Sequence, residues 1–346
     1  MKELAGLATG IGSLPYKEAQ KAVELVLKYC PQLPFWPQLP KRDVKEGMVA
    51  QFCEGLPCIK VTDSGAAFDP RDKERELEKF YEGIINGDTD YFKISSDYAA
   101  GLYAFYEALG KVDLKGVKAI KCHITGPFTF AAGFKDEKGV SLLHDGVFMQ
   151  AVIKALSMKA LWQLKFFKAF GKRIIVFIDE PYLACFGSAY TPLNREDVIK
   201  GLRELTQEIK AQGALIGVHC CGNTDWSIFT DTQTIDIINF DAFGFLDKLL
   251  LYAQDLKGFF GRGGMLCWGV VPTQEFDPGI SVDLLIDKIN QGISELVKKG
   301  IGRRAVCDNL ILSPACGLGT MEPDKAERVL KLLSEASEKL KKLLQK

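Results

Sequence analysis

The chain has no excess of charge of either sign. Its 44 lysines and arginines are matched by 44 aspartates and glutamates across 346 residues, so nothing draws it globally to nucleic acid or to an anionic membrane. It has no long hydrophobic run either: nothing approaches the roughly 18 consecutive apolar residues of a membrane span. The opening residues, Met1-Lys2-Glu3-Leu4-Ala5-Gly6, lack the basic stretch and apolar core of an export signal. Its ten cysteines are unevenly spaced and include the adjacent pair Cys220 and Cys221, which argues against a disulfide framework. A soluble protein of the reducing cytoplasm is expected, with neither nucleic acid nor membrane as partner. No repeat, low-complexity tract or linker interrupts residues 1–346, which therefore read as a single domain.

A dinucleotide loop is also missing. Thr9-Gly10-Ile11-Gly12-Ser13-Leu14-Pro15 contains G-x-G but no third glycine at the required offset, and Pro15 interrupts the turn.

Eight strand-like runs are present: Leu7–Gly12, Cys58–Thr62, Ala119–His123, Arg173–Ile178, Ala214–Cys220, Ile235–Phe240, Met265–Val270 and Leu310–Ser313. Amphipathic stretches of helical period separate most of them, which predicts an α/β protein built as a single (β/α)8 TIM barrel. Polar, turn-forming residues follow each run, among them Gly12-Ser13, Asp63-Ser64, Thr125-Gly126-Pro127, Asp179-Glu180-Pro181, Cys221-Gly222-Asn223, Asp241, Pro272-Thr273 and Cys316-Gly317. In such a barrel they gather at one end, where the site belongs. The proline-rich connection Pro31–Pro40 reads as a stiff loop, packed over the barrel by Phe35 and Trp36 or serving as a lid. From Pro323 to Lys346, Val329, Leu330, Leu333, Ala336, Leu340 and Leu344 share one helical face.

The residue types with the narrowest chemistry are His219, Cys221 and Cys316. Side chains alternate along a strand, so His219 and Cys221 point one way and Cys220 the other. Cys316 follows another buried run. One imidazole and two thiolates suit zinc, and Asp241, at the end of the next strand, either closes the shell or begins a helix. A zinc rich in thiolate is a weak Lewis acid toward water but holds a substrate thiol as an electron-rich thiolate, so alkylation of a thiol is favoured over hydrolysis. Of the adjacent Asp179 and Glu180, only one can face the strand ends directly; the other caps a helix or is solvated. The amides beyond Pro127 offer a place for an anion, and His123 is either a packed core residue or faces the same end.

Five segments together resemble, in order, the C-terminal catalytic half of cobalamin-independent methionine synthase, within a wider group of uroporphyrinogen decarboxylase-like and corrinoid-using methyltransferases. They are Ile11-Gly12-Ser13-Leu14-Pro15, Thr125-Gly126-Pro127, Ile178-Asp179-Glu180-Pro181, His219-Cys220-Cys221-Gly222-Asn223-Thr224 and Ser313-Pro314-Ala315-Cys316-Gly317-Leu318. The resemblance implies a barrel with zinc held by His219, Cys221 and Cys316, the homocysteine amino group at Asp179, and its carboxylate at Ile11, Gly12 and Ser13. The pattern departs from the family at three points. The full-length synthase carries an additional N-terminal barrel of similar size; its glutamate ligand is replaced here by Asp241; and Phe128–Phe134 has no tryptophan where the synthase serves its folate. These departures, and the form His-Cys-Cys-Gly-Asn-Thr, lead to a methylcorrinoid donor, either methylcobalamin or a corrinoid protein. The expected reaction is methyl transfer to the thiol of homocysteine, forming methionine. The rivals are transfer to another thiol such as coenzyme M, folate-dependent methionine synthesis, a metal-free decarboxylase of the uroporphyrinogen type, and a zinc or corrinoid carrier.

Overall fold

The computed structural model describes residues 1–63, 65–188 and 193–344. Its strands are β1 (Ile59–Thr62), β2 (Gly65–Phe68), β3 (Ala119–Thr125), β4 (Arg173–Asp179), β5 (Leu215–Cys220), β6 (Ile237–Phe240), β7 (Met265–Val271) and β8 (Leu310–Pro314). The helices are α1 (Ala19–Tyr29), α2 (Lys73–Ile85), α3 (Ala100–Leu109), α4 (Pro127–Ala132), α5 (Gly146–Phe167) and α6 (Arg195–Ala211), followed by α7 (Ser227–Asp231), α8 (Ala242–Leu249), α9 (Ala253–Gly261), α10 (Val282–Lys298), α11 (Arg303–Cys307) and α12 (Pro323–Leu344).

Strands β3 to β8 form one parallel sheet in chain order, with helices in every crossover. Parallel strands covered by helices are buried on both faces, which is why these runs are almost continuously apolar. The sheet curls around an inner cluster that draws on many strands: Ala119, Ile175, Phe177, Ile237, Met265 and Ile311. Residues of opposite parity, among them Ile120, Val176, Val218, Phe240 and Leu312, belong to the larger core. That alternation makes two cores from one set of strands.

The first two expected strands are corrected. Cys58–Thr62 is not part of the main sheet: β1 pairs antiparallel with β2 in a separate hairpin. Asp63 therefore turns a hairpin rather than standing at the strand ends, and Ser64 lies outside the described residues. Leu7–Gly12 is not a regular strand but meets the sheet through single bridges. Gly6 N and Thr9 N donate to the carbonyls of Leu310 and Leu312, and Leu312 N donates to Leu7 O. On the other edge, Lys118 N and Lys121 N donate to Gln32 O and Pro34 O. Ser13 and Gln38 bridge the two N-terminal segments to each other. The architecture is thus a curled six-stranded parallel sheet whose edges are tied by irregular chain. Prolines at 31, 34, 37 and 40 explain the irregularity, since each removes a ladder donor.

The proline-rich connection is packed down by Phe35 and Trp36, the first of its two readings, and it also bridges to the sheet edge. Phe35 and Trp36 are buried; Phe35 bridges to Lys121 on β3, and Trp36 stacks on His123 with centroids 3.7 Å apart. Trp36 also donates to Gln163 on α5, 2.9 Å away, which in turn donates to the His123 carbonyl. Helix α3 fits against this segment only because residue 101 is glycine: a Cβ there would lie 1.9 Å from the Pro37 carbonyl oxygen. Replacing Gly101 with alanine should therefore lower the free energy of chemical denaturation by about 1–3 kcal/mol despite alanine's better helix propensity. Gly116→Ala, where no atom lies within 4 Å of the new Cβ, is the control and should change it by no more than about 0.5 kcal/mol.

Candidate metal centre

Strand β5 ends in His219 and Cys220, and β8 leads through Pro314 to Cys316. His219 and Cys221 project inward while Cys220 is buried in the outer core, as strand alternation requires. Between strands the register aligns Asp179 with His219 and His219 with Asn239. The structure brings one donor atom from each of His219, Cys221 and Cys316 to within 4.8 Å of the others. Tetrahedral ligand atoms about 2.0–2.3 Å from a shared zinc lie about 3.3–3.8 Å apart, so an ion would draw the widest spacing in this group inward by about 1 Å. A borderline-soft donor set of two thiols and one imidazole fits zinc in type as well as spacing.

The imidazole is oriented by a side chain that sequence reasoning did not single out. Asn239, fully buried on β6, donates through Nδ2 to the Cys267 carbonyl and to Ser313 Oγ, both at 2.7 Å. Its nitrogen is thereby identified, and its Oδ1 is left to accept from Nδ1 of His219. The proton thus sits on Nδ1, and Nε2 presents its lone pair toward the thiols. An amide inside the apolar run Ile237-Ile238-Asn239-Phe240 was the available signal, since a polar group in a doubly buried strand needs a partner. Burial works to lower the His219 pKa, but Cys316, Asp179 and Asn239 outweigh it and the net shift is upward. Hydrogen bonding between the two thiols draws Cys221 below its ordinary range and pushes Cys316 above it.

Asp241 is not one of the three donors that lie within 4.8 Å of one another, but it lines a second cavity with Cys221 and Cys316. Its Oδ1 accepts from the amides of Phe243 and Gly244 at 2.9 and 2.8 Å, so it caps α8. Burial raises its pKa, with those amides and His219 acting against the shift.

The adjacent carboxylates divide cleanly. Glu180 turns outward and takes the helix start at Thr125-Gly126-Pro127: its oxygens accept from Phe128 N and Thr129 N, each at 2.9 Å, and from the Thr129 hydroxyl at 2.6 Å. The site expected for an external anion beyond Pro127 is filled by the protein's own carboxylate. Gly126 is required there, because a Cβ would come within 2.2 Å of the Glu180 side chain. Asp179 faces inward, nine-tenths buried, and its Oδ1 has no partner among the described residues. Burial raises its pKa, opposed by His219 and Lys121.

Asp179 lines a cavity of about 290 Å³ together with Ile11, Ser13, Gln38, His219, Cys221 and Cys316. Gln38 was also missed in the sequence. Its Nε2 donates to Gln51 Oε1 at 2.9 Å, and Gln51 donates to the Tyr98 carbonyl at 2.7 Å, so the Gln38 carbonyl oxygen is the end left over. Gly12 is part of the same turn, pressed against His123, whose nearest ring atom would lie 2.9 Å from a Cβ there. His123 is the packed residue of its two readings: neither ring nitrogen has a partner among the described residues, and burial, then Lys121, holds its pKa well below the ordinary value. A second, larger cleft of about 750 Å³ borders Cys316 and carries Glu275, Asp277, Glu322 and Lys325.

No family model matches the chain, and no curated protein does. Among solved structures it is similar to a B12-independent methionine synthase from Shewanella sp. W3-18-1 in complex with selenomethionine. The TM-score is 0.61 and the identity 15%, over 99% of each chain. At that identity the likeness is one of fold: the same α/β architecture runs through both chains.

Burial raises the Glu180 carboxyl to about 7, with Thr129 and the two amides pulling the other way. An acid whose folded pKa lies above its unfolded value adds stability at low pH and loses it as pH rises through the folded value. The wild type should therefore lose more denaturation free energy than Glu180→Gln between about pH 5 and about pH 8. Equal pH slopes in the two proteins would mean that Glu180 titrates normally.

Proposed function

We propose that the protein is a zinc-dependent methyltransferase that moves a methyl group from a methylcorrinoid to the thiol of homocysteine, forming methionine. The observation that carries the reading is the convergence of His219, Cys221 and Cys316 on a cavity that also receives an oxygen of Asp179, beside His219 in the register and without a partner among the described residues. Zinc in that group would hold a thiol as thiolate without making it a poor nucleophile. The remaining roles fall to the chain. Asp179 accepts from the substrate ammonium, a charge-assisted bond that also offsets the cost of burying the carboxylate. The amides of Ile11, Gly12 and Ser13 face the carboxylate end, and Asn239 keeps His219 in one tautomer. A thiol without an amino group, such as coenzyme M, would leave Asp179 unpaired, which favours an amino acid. Two converging thiolates favour this reading over a metal-free decarboxylase. The same reading takes the two bridged N-terminal segments as the first two staves of an eight-staved barrel.

The structural neighbour is B12-independent, and on the donor this proposal differs from it. The cleft beyond Cys316 is lined by three carboxylates and one lysine, which repel a polyglutamylated folate and are indifferent to a corrin. Carbon–sulfur bond formation then accompanies cobalt–carbon cleavage, the electron pair stays on cobalt as cob(I)alamin, and no general acid is needed. A methyl-folate amine, by contrast, must be protonated to leave.

Elemental analysis should find zinc bound in equal ratio to the chain, lost in Cys221→Ser and Cys316→Ser and retained in Cys220→Ser and Asp241→Asn. Asn239→Leu should weaken zinc by about tenfold or more with all three ligands in place. Full zinc in Cys316→Ser would count against the centre as described.

Zinc-loaded protein mixed with methylcobalamin and homocysteine should give methionine and the visible spectrum of cob(I)alamin or its oxidation product. Methionine formed at an equal or higher rate from methyl-folate, without added corrinoid, would reverse the choice of donor.

A further inference from the structure

Lys121 is a buried polar residue of the sheet interior that the proposed reaction does not use. It lies on β3 between the inward-facing Ala119 and His123 and is 1% exposed. Its Nζ donates to the carbonyl of Ile11 at 2.5 Å, between the rings of Phe177 and Phe35, whose centroids are 4.5 and 5.9 Å away. The carboxylate acting on it is Asp179. Burying an ammonium here is far more costly than burying a methionine of similar length, so filling space does not account for it.

The Ile11 carbonyl belongs to the same peptide unit as the Gly12 N–H. No described residue has a cis peptide bond, so these two groups point in opposite directions: the carbonyl toward Lys121 within the sheet, the N–H away from it. Among the described residues nothing accepts from the amides of Ile11, Gly12 or Ser13, and Ile11 and Ser13 line the cavity beside His219, Cys221 and Cys316. A cation bound to a peptide oxygen polarises the unit and strengthens the donor on its far side.

Building on the homocysteine reading, we propose that Lys121 is a positioning residue for the substrate carboxylate, pinning and polarising the Ile11–Gly12 peptide so that its N–H binds that group. The two ends of the amino acid are then served separately: Asp179 meets the ammonium directly, and Lys121 meets the carboxylate through a peptide.

The test compares homocysteine with 3-aminopropane-1-thiol, which is homocysteine without its carboxylate, in zinc-loaded wild type and Lys121→Met. Steady-state kinetics and calorimetric binding are both read. Lys121→Met should raise KM and Kd for homocysteine about tenfold to a hundredfold, the value of one charge-assisted contact, with kcat, zinc content and the constants for the carboxylate-free thiol changed less than about twofold. A parallel loss for both thiols would make Lys121 merely structural, and no loss for either would remove its role; each overturns the proposal. If Lys121→Met does not fold, Lys121→Gln, which keeps a donor to the Ile11 carbonyl without the charge, is read in the same way. A wild type that does not bind homocysteine at all overturns the parent reading, a result told apart by needing no variant.

Discussion

The strands that line the inside of the curled sheet are almost wholly buried, and that constraint governs the rest of the molecule. A polar side chain pointing inward is costly to bury without a partner, and His123, stacked on Trp36, has none among the described residues. Asn239 and Ser313 satisfy each other, Lys121 finds the Ile11 carbonyl, and His219 finds Asn239. The Nε2 of His219, the thiols of Cys221 and Cys316 and one oxygen of Asp179 are left facing a common cavity. A cation and an ammonium are the complements of that remainder.

The same constraint separates two adjacent carboxylates. Asp179 and Glu180 differ by one position on a strand, hence by one face of the sheet. The outward one meets the start of α4 and is consumed by two amides and a hydroxyl. The inward one meets no donor. Burial raises both, yet of the two only Asp179 keeps an oxygen without a partner among the described residues, so chemically equal groups end in different surroundings.

The irregular N-terminal chain matters for a related reason. A regular strand would spend the amides of Ile11, Gly12 and Ser13 in a ladder. Here single bridges and prolines on the neighbouring segment leave them unspent beside the cavity. What looks like a defect in the sheet is what leaves these donors unpaired among the described residues.

Much of this was legible in the chain itself. The inward pairing of His219 with Cys221, the exclusion of Cys220, and six of the strands follow from alternation and apolar runs, which are local properties of a buried parallel strand. The rest needed tertiary structure. Cys58–Thr62 has strand composition, but composition does not name a partner, and it pairs with Gly65–Phe68 instead of the main sheet. Pro31–Pro40 reads as a loop because prolines cannot sustain a ladder, yet isolated bridges to β3 and to Ser13 need few donors. Whether Glu180 or an external anion fills the start of α4 turned on contacts between segments far apart in sequence, whereas the cap that Asp241 places on α8 is local. Local pattern decides which way a side chain points; only the packed chain decides what it meets there.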